Sequence, residues 1–215
     1  MSKVLGYVAG GTGRIRPFNQ VFDSGVEVVA DEVSKSLAAL VIWGGADIST
    51  GLYDEDGGKW THANRDLSAR DKKEVDACKA AIAQGIPIIG VCRGAQLLCA
   101  LAGGKLIQHV EGHNGGDHAI TTSDGREMRT SSVHHQMMYP YAVKHELLAW
   151  SKTPRSYLYC FNNKDEPKRH LEHPEAEVVW FPEIKGLAIQ GHPEFMREDE
   201  EFVSYCMELV RKYIS

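Results

Sequence analysis

Two residues with the chemistry of a nucleophile and its base, Cys92 and His192, lie about a hundred positions apart in the chain. Cys92 is the central residue of the segment GVCRG, with a glycine two positions before it and another two positions after it. This spacing is typical of a nucleophile elbow, where a strand turns at once into a helix and small flanking residues let the turn close. The dipole of that helix favours a thiolate at its N-terminus. The alternative for Cys92 is a buried structural cysteine at a strand end.

His192 ends the apolar segment LAIQGH and is followed two positions later by the carboxylate of Glu194. A cysteine nucleophile needs a base to take its proton, and the base needs a group that holds its tautomer. Residues two apart in an extended segment point to the same side, so Glu194 can reach back to His192. Together with the elbow, this segment predicts a catalytic triad of Cys92, His192 and Glu194.

The segments around Cys92 are those that an α/β sheet needs to position an elbow. Residues 86–91 are short, β-branched and opened by a proline, which predicts a buried parallel strand, and residues 95–101 form an apolar helical run. Further strands are predicted at residues 4–9, 26–30, 39–43, 105–110, 119–122, 155–161 and 177–181, and further helices at 32–38, 66–84 and from 196 onward. This alternation predicts a three-layer α/β fold with a mainly parallel sheet flanked by helices.

The size and composition are those of a globular domain. The 215 residues carry a formal charge of -5, with 43% hydrophobic and 25% charged residues, so we expect one domain over residues 1–215. The acidic balance and the lack of a basic block argue against a nucleic-acid partner. No apolar run has the length of a membrane span, and no signal peptide is evident. Five cysteines without framework spacing suit a reducing compartment, so we expect a cytoplasmic protein.

Two other groups of residues raise alternatives to this chemistry. The glycine-rich loop at residues 10–13 follows a predicted strand, but it completes no phosphate-binding motif, so a tight loop at the sheet edge is favoured over a nucleotide site. The concentration of candidate metal ligands consists of His109, His113, His118, His134 and His135. The ligand pairs that are usual in zinc sites are absent, so we expect no metal, and surface-loop histidines are an alternative.

Five motifs lie in a fixed order along residues 40–194, namely WGGADI, GVCRGAQ, GGKLIQH, VHHQ and GHPE. In this combination they resemble the class I glutamine amidotransferase superfamily. The closer likeness is to its γ-glutamyl hydrolase-like branch, which includes γ-glutamyl-γ-aminobutyrate hydrolases. The resemblance implies a flavodoxin-like core of the class I glutamine amidotransferase type and an activity that needs no cofactor.

The resemblance also implies roles for particular residues. Gly45, or Gly44 beside it, and Arg93 would supply the backbone N–H groups of an oxyanion hole, where such donors are worth about 3–4 kcal/mol. From the residues alone, the glycine pair is only a turn. The residues that would contact the substrate are Gln96, His134, His135 and Gln136, of which Gln96 lines the pocket for the glutamyl part.

Charged residues near these motifs have structural interpretations. Asp47 is interpreted as an N-cap or turn former rather than a catalytic group. Arg70 and Asp71 match positions of the family, but the charge run of the predicted helix at residues 66–84 is interpreted as a solvated face.

We therefore predict hydrolysis of a γ-glutamyl amide bond, in glutamine or in a γ-glutamyl amine or peptide, through a glutamyl thioester. One alternative is the glutaminase subunit of an amidotransferase, which passes ammonia to a synthetase on a separate chain. Another is a non-catalytic binding or regulatory module, against which the complete triad counts. The expected partner is the small-molecule substrate, with no nucleic acid and no membrane, and a homodimer stays open. The loops at residues 53–65 and 162–174 are candidates for covering the site.

Overall fold

The computed structural model describes residues 2–10, 15–162 and 165–214, so most of the glycine-rich loop at residues 10–13 lies outside the described residues. The α-helices of this part of the chain are α1 (Ala69–Gln84), α2 (Arg93–Leu101) and α3 (Glu201–Tyr213). The strands are β1 (Val4–Tyr7), β2 (Ser24–Glu27), β3 (Ala39–Ile42), β4 (Ile88–Val91), β5 (Lys105–Ile107), β6 (His109–Val110), β7 (His118–Thr122), β8 (Glu127–Thr130), β9 (Met137–Tyr139), β10 (Glu146–Ser151), β11 (Tyr159–Cys160), β12 (Ala176–Phe181) and β13 (Gly186–Ile189).

One sheet organises the described residues, with the strand order β2-β1-β3-β4-β13-β12-β10-β7-β8. The strands from β2 to β13 run parallel, whereas β13, β12, β10, β7 and β8 pair antiparallel. Two small ladders, β5 with β9 and β6 with β11, lie outside this sheet. Helices flank the sheet on both faces, so the predicted three-layer α/β fold is confirmed.

Apolar residues divide between two cores because successive side chains of a strand point to opposite faces. On β3, Val41 contributes to the core beneath α3, whereas Leu40 and Ile42 contribute to the core beneath α1 and α2. Each fully buried aliphatic side chain of this kind is worth about 1.5–3 kcal/mol. Every residue of β3 and β4 is buried, and the strands lie side by side at the centre of the parallel half of the sheet. Their continuous apolar runs suit this position, because both faces of each strand are covered.

Helix α1 has clear start and stop signals. The hydroxyl of Ser68 accepts a hydrogen bond of 3.0 Å from the backbone N–H of Asp71, and the helix ends at Gly85, whose φ is +70°. A serine N-cap and a left-handed glycine after the last turn satisfy the backbone groups that a helix leaves unpaired. No helix among the described residues has the length and apolar content that a membrane span requires.

Several elements differ from those expected from the sequence. The helix predicted at residues 32–38 is wrong, since the chain there has only a short 3-10 turn at Ala30–Glu32 followed by extended backbone at Val33. The strand predicted at residues 155–161 is limited to β11. Strands β8, β9 and β10 were not predicted, because they are short or mix polar and apolar residues without strict alternation.

Candidate active site

Cys92 lies at the turn between β4 and α2, with its backbone in a conformation that few residues adopt. Its φ is 51° and its ψ is -107°, and α2 begins at the next residue. A Cβ on Gly90 would lie 2.4 Å from the carbonyl oxygen of Gly94, and a Cβ on Gly94 would lie 2.0 Å from that of Ile42. Only glycine therefore lets strand, turn and helix approach so closely, and the chain has the strained turn that the spacing predicts.

The side chains of Cys92, His192 and Glu194 form one hydrogen-bonded series. Nδ1 of His192 lies 2.8 Å from Oε1 of Glu194, and the imidazole also shares a hydrogen bond with the side chain of Cys92. The series forms because β4 and β13 are neighbours, with Val91 opposite Ile189, so that the residues after both strands meet at one edge of the sheet. The side chains of His192 and Glu194 are only 5% and 3% exposed.

His192 is fixed by its backbone as well as by its ring. The Ser131 hydroxyl accepts a 2.8 Å hydrogen bond from the His192 N–H and donates a 2.9 Å hydrogen bond to the His192 carbonyl. Burial opposes protonation of the imidazole, but its hydrogen bonds to Cys92 and Glu194 outweigh burial and raise the pKa of His192 to about 10. A ring that holds its proton at neutral pH can donate it to a leaving group.

The glycine pair after β3 borders the same space. A Cβ on Gly44 would lie 2.6 Å from Cε1 of His192 and 3.5 Å from Cβ of Cys92. Gly45 has a φ of +148°, and a Cβ there would lie 2.1 Å from Nη1 of Arg70. The Arg70 guanidinium donates to the carbonyl oxygen of Gly44 at 2.9 Å. The pair is thus held in place beside the nucleophile.

A buried ion network supports Arg93, the residue that follows the nucleophile. Its guanidinium pairs with Asp71 and Glu74 of α1, and the Arg93 side chain is only 2% exposed. Burial opposes ionisation of Asp71, but hydrogen bonds from Ser49 and Ser68 and the charge of Arg93 outweigh it and hold the pKa of that carboxyl below its usual value. The interpretation of this helix face as solvated is therefore wrong for Asp71 and Glu74, which are both buried.

Three of the four predicted substrate contacts lie together behind the elbow. The side-chain amide of Gln96 donates to the carbonyl oxygen of Gln136 at 3.0 Å, and Nδ1 of His134 lies 2.9 Å from the same oxygen. The Gln136 side chain donates to the carbonyl of Gln108 at 3.2 Å. All three residues are buried, so this group lies within the protein beside the first turns of α2.

The fourth predicted contact, His135, is half-buried and lies apart from the other three side chains. Its Nε2 lies 2.9 Å from Oδ1 of Asp47, whose second oxygen accepts hydrogen bonds from the His62 N–H at 2.8 Å and the Thr61 hydroxyl at 3.2 Å. Asp47 therefore connects His135 to the loop at residues 53–65. This bridge differs from the N-cap or turn former that the sequence suggested for Asp47.

The sequence matches a known protein family over more than half of its length. The family model of peptidase C26 matches residues 20–154. The chain belongs to the peptidase C26 family. The matched segment includes Cys92, both glycines and the whole of the buried ion network, whereas His192 and Glu194 lie beyond it.

Curated relatives of this C26 protein are glutamine amidotransferase-like. The protein YvdE of Lactococcus lactis, named for its likeness to glutamine amidotransferases, is 30% identical over 179 residues, covering 79% of this chain and 71% of YvdE. The carbamoyl phosphate synthase small chain of Xanthomonas axonopodis is 39% identical over 120 residues, covering 56% of this chain and 27% of that chain. The chain also spans only 34% of the length of a relative from Mycobacterium tuberculosis. These relatives confirm the resemblance at the level of the superfamily.

The solved structure of a glutamine amidotransferase from Thermotoga maritima has the same fold. Its TM-score is 0.56 at 14% sequence identity, and the match covers 100% of this chain and 87% of that structure. At this identity the likeness establishes the fold alone. The flavodoxin-like core that the resemblance implies is confirmed.

Sequence analysis missed the support around the C26 elbow, although a signal for it was present. Asp71 is in phase with Val75, Cys78 and Ile82, the apolar stripe of α1, because these residues follow one another at intervals of four, three and four. A carboxylate on a buried stripe needs a buried cation, and Arg93 beside the nucleophile is that cation.

A second group of chemistry-bearing residues lies apart from the triad. His113, His118 and Glu177 are buried together, and one ligand atom from each lies within 4.8 Å of the other two. Among the described residues, these are the ones that are arranged as metal ligands.

Proposed function

We propose that this C26 protein hydrolyses a γ-glutamyl amide bond through a glutamyl thioester on Cys92. The observation that carries the proposal is the series Cys92–His192–Glu194 at the end of two adjacent parallel strands. Cys92 and His192 come from segments about a hundred residues apart, yet folding brings their side chains together. A cysteine with only a packing role needs neither a strained turn nor a hydrogen bond to an imidazole.

In the proposed mechanism, the sulfur of Cys92 attacks the side-chain carbonyl carbon of the glutamyl group. His192 holds the proton that the Cys92 thiol has given up and passes it to the nitrogen of the leaving amine, so the amine departs neutral and the thioester remains. Nδ1 of His192 bonds to Glu194, which leaves Nε2 for Cys92 and fixes the ring. Water then attacks the thioester, with His192 as its base, and releases glutamate.

The oxyanion formed in each step would be held by the backbone N–H groups of Gly45 and Arg93. The support for this assignment is that Arg70 holds the glycine pair, while the ion pairs of Arg93 hold the first turn of α2. Preorganised donors of this kind lower the barrier by about 3–4 kcal/mol when they point at the developing charge. We assign Gln96 to the glutamyl part of the substrate and His135, the most exposed of the four predicted contacts, to its amino-acid end.

A second candidate function is the glutaminase subunit of an amidotransferase with a synthetase on another chain. It is supported by the match to a carbamoyl phosphate synthase small chain, whose name denotes one chain of a larger enzyme. It is also supported by Phe195, which stacks on His192 at 4.4 Å and is 57% exposed, so that an apolar group lies at the site entrance. A non-catalytic module is disfavoured, because binding alone does not require the triad.

The test is release of glutamate by the purified chain, together with ammonia from glutamine or with the free amine or peptide from a panel of γ-glutamyl amines and peptides. We expect cleavage of at least one γ-glutamyl amine without any partner, and its loss in the Cys92→Ser variant. Cys160→Ser is the matched control, because Cys160 is buried on β11 outside the triad. Circular dichroism would verify that both variants keep the fold.

Each outcome separates the candidates. Slow release from glutamine alone would favour the glutaminase subunit over the free-standing hydrolase. No Cys92-dependent release from any substrate, by a folded chain with or without a synthetase, would leave only the non-catalytic module. Activity that survives in Cys92→Ser would contradict the thioester mechanism.

A further inference from the structure

A buried cluster in the antiparallel half of the sheet is not used by the proposed mechanism. His113 lies in the loop before β7, His118 begins β7, and Glu177 lies on β12. The three side chains are 0%, 1% and 1% exposed. Buried imidazoles and carboxylates are costly unless their polar atoms are satisfied, so such a cluster calls for a partner that satisfies them.

We propose that His113, His118 and Glu177 bind one divalent transition-metal ion, with Zn²⁺ as the ion that fits these ligands best. Imidazole nitrogen and carboxylate oxygen are usual zinc ligands, whereas Ca²⁺ and Mg²⁺ require sites of oxygen alone. This proposal departs from the expectation that the chain binds no metal, which rested on the spacing of the histidines in the sequence. Folding brings together residues that the sequence separates by about sixty positions.

The distances within the cluster suit a tetrahedral ion. Oε1 of Glu177 lies 2.8 Å from Nε2 of His118 and 3.6 Å from Nδ1 of His113. With bonds of 2.0–2.1 Å, two ligand atoms of a tetrahedral zinc site are about 3.3 Å apart. These two distances lie on either side of this separation, and every ligand atom of the cluster lies within 4.8 Å of the others, so side-chain adjustments would bring the three atoms around one ion.

The second ring nitrogen of His113 has the partner that a metal-bound histidine usually has. Its Nε2 lies 3.1 Å from Oε2 of Glu175. Glu175 is itself held by the N–H groups of Arg155 and Ser156 and by the hydroxyl of Tyr159, at 3.0, 3.1 and 2.7 Å. The Nε2 side of His113 is therefore occupied by Glu175, and Nδ1 is the ring nitrogen that faces Oε1 of Glu177, at 3.6 Å. A cation between Nδ1 and Oε1 would bond to both atoms.

His134 packs beside the cluster, although the group whose ligand atoms lie within 4.8 Å of one another consists of His113, His118 and Glu177. Its ring centroid lies 4.9 Å from that of His113. Its Nδ1 donates to the carbonyl oxygen of Gln136, so Nε2 carries a lone pair, and this buried atom has no hydrogen-bond partner among the described residues. If this ring turned toward the cluster, it would complete the four protein ligands that are typical of a structural metal site.

The ion would tie together segments that support the catalytic histidine. His113 accepts hydrogen bonds at its carbonyl from the Ser132 hydroxyl, at 2.6 Å, and from the His134 N–H, at 3.1 Å. The residue before Ser132 is Ser131, which fixes the backbone of His192. We therefore expect metal loss to lower the melting temperature. We also expect it to loosen the segment at residues 131–134, which supports His192, without removing any reacting group.

The experiment measures metal content directly, so it does not depend on the proposed enzymatic activity. Chain purified without a histidine tag or chelator is analysed for bound metal, then stripped and titrated with Zn²⁺ and with Co²⁺. We expect one ion per chain, a tetrahedral Co²⁺ absorption band and a higher melting temperature with Zn²⁺. Glu175→Gln should weaken Zn²⁺ binding by about 10–100-fold, and His118→Asn and Glu177→Gln should abolish it.

The matched control is His170→Asn, because His170 is an exposed histidine on the surface. It should bind Zn²⁺ as the unmodified chain does. The proposal is overturned if the folded, unmodified chain takes up no stoichiometric Zn²⁺ or Co²⁺. It is equally overturned if His118→Asn and Glu177→Gln bind as tightly as His170→Asn. The titration of the unmodified chain needs no variant, so a variant that fails to fold does not remove the test.

Discussion

At the scale of single residues, the protonation of His192 is the quantity that decides the chemistry. Its ring lies between Glu194 and the side chain of Cys92, and these hydrogen bonds outweigh the opposing effect of burial. The folded chain therefore keeps this proton to a higher pH than an unfolded histidine, whose pKa is about 6.5. The proton stabilises the fold fully below about pH 6.5, and this contribution is lost as the pH rises through the folded pKa of about 10.

Replacing Glu194 by Gln should lower the pKa of His192, because the ring loses its charged partner. An NMR titration of the labelled histidine should show a midpoint near the folded pKa of about 10 in the unmodified chain and a clearly lower midpoint in Glu194→Gln. The control is Asp199→Asn, since Asp199 is an exposed carboxylate that pairs with Arg197 instead. Identical midpoints in Glu194→Gln and Asp199→Asn would contradict this account of the pKa.

At the scale of elements, α1 supports the elbow although it carries no proposed catalytic residue. Glu74 bonds to Arg70 at 2.8 Å and also pairs with Arg93. Arg70 holds the glycine pair after β3, and Arg93 opens α2, so one carboxylate of α1 links both proposed sources of oxyanion donors. A single helix thereby contacts both segments.

Glu74→Ala should lower the free energy of unfolding by about 3–5 kcal/mol, because it leaves the buried guanidinium of Arg93 without one of its two carboxylates. Urea unfolding measures this loss. Asp76→Ala, on the exposed face of the same helix, should change the unfolding free energy by less than about 0.5 kcal/mol. Equal losses in the two variants would show that the network contributes no more than a surface charge does.

The limits of sequence analysis are also visible at this scale. The central strands β3 and β4 and the helix α1 were predictable, because continuous apolar runs and caps determine them locally. The strand β10 was not, since its residues alternate irregularly and its place depends on pairing with β12, which includes bulges. Dependence on tertiary pairing also hid the cluster of His113, His118 and Glu177. Its members meet only when β7 and β12 join one sheet.

At the scale of the whole molecule, the two halves of the sheet have different tasks. The parallel half ends in the loops that carry Cys92 and His192, whereas the antiparallel half carries the proposed metal ligands. All five cysteines are reduced and buried, and Cys92 lies at the turn after β4, where its side chain shares a hydrogen bond with the imidazole of His192. The fold thus separates one chemically distinct thiol from four packing residues.

Iodoacetamide should therefore alkylate the native chain once, at Cys92. Burial raises the pKa of Cys99 to about 12, and burial also raises the pKa values of Cys78, Cys160 and Cys206. Their thiols should stay unreactive, because the thiolate is the nucleophile. Intact-mass and peptide mass spectrometry should find one modified site in the native chain, none in Cys92→Ser and all five cysteines after denaturation. Native modification at another cysteine would contradict the prediction.

The insertion of β13 between β4 and β12 also determines when the site comes into being. Cys92 precedes His192 by about a hundred residues, so a ribosome adding about 5–20 residues per second needs roughly 5–20 s to pass from one to the other. During that interval the growing chain carries Cys92 without His192 beside it. The pair can form only when β13 has joined β4. A nascent or truncated chain that ends before His192 therefore lacks the base on which the proposed hydrolysis depends.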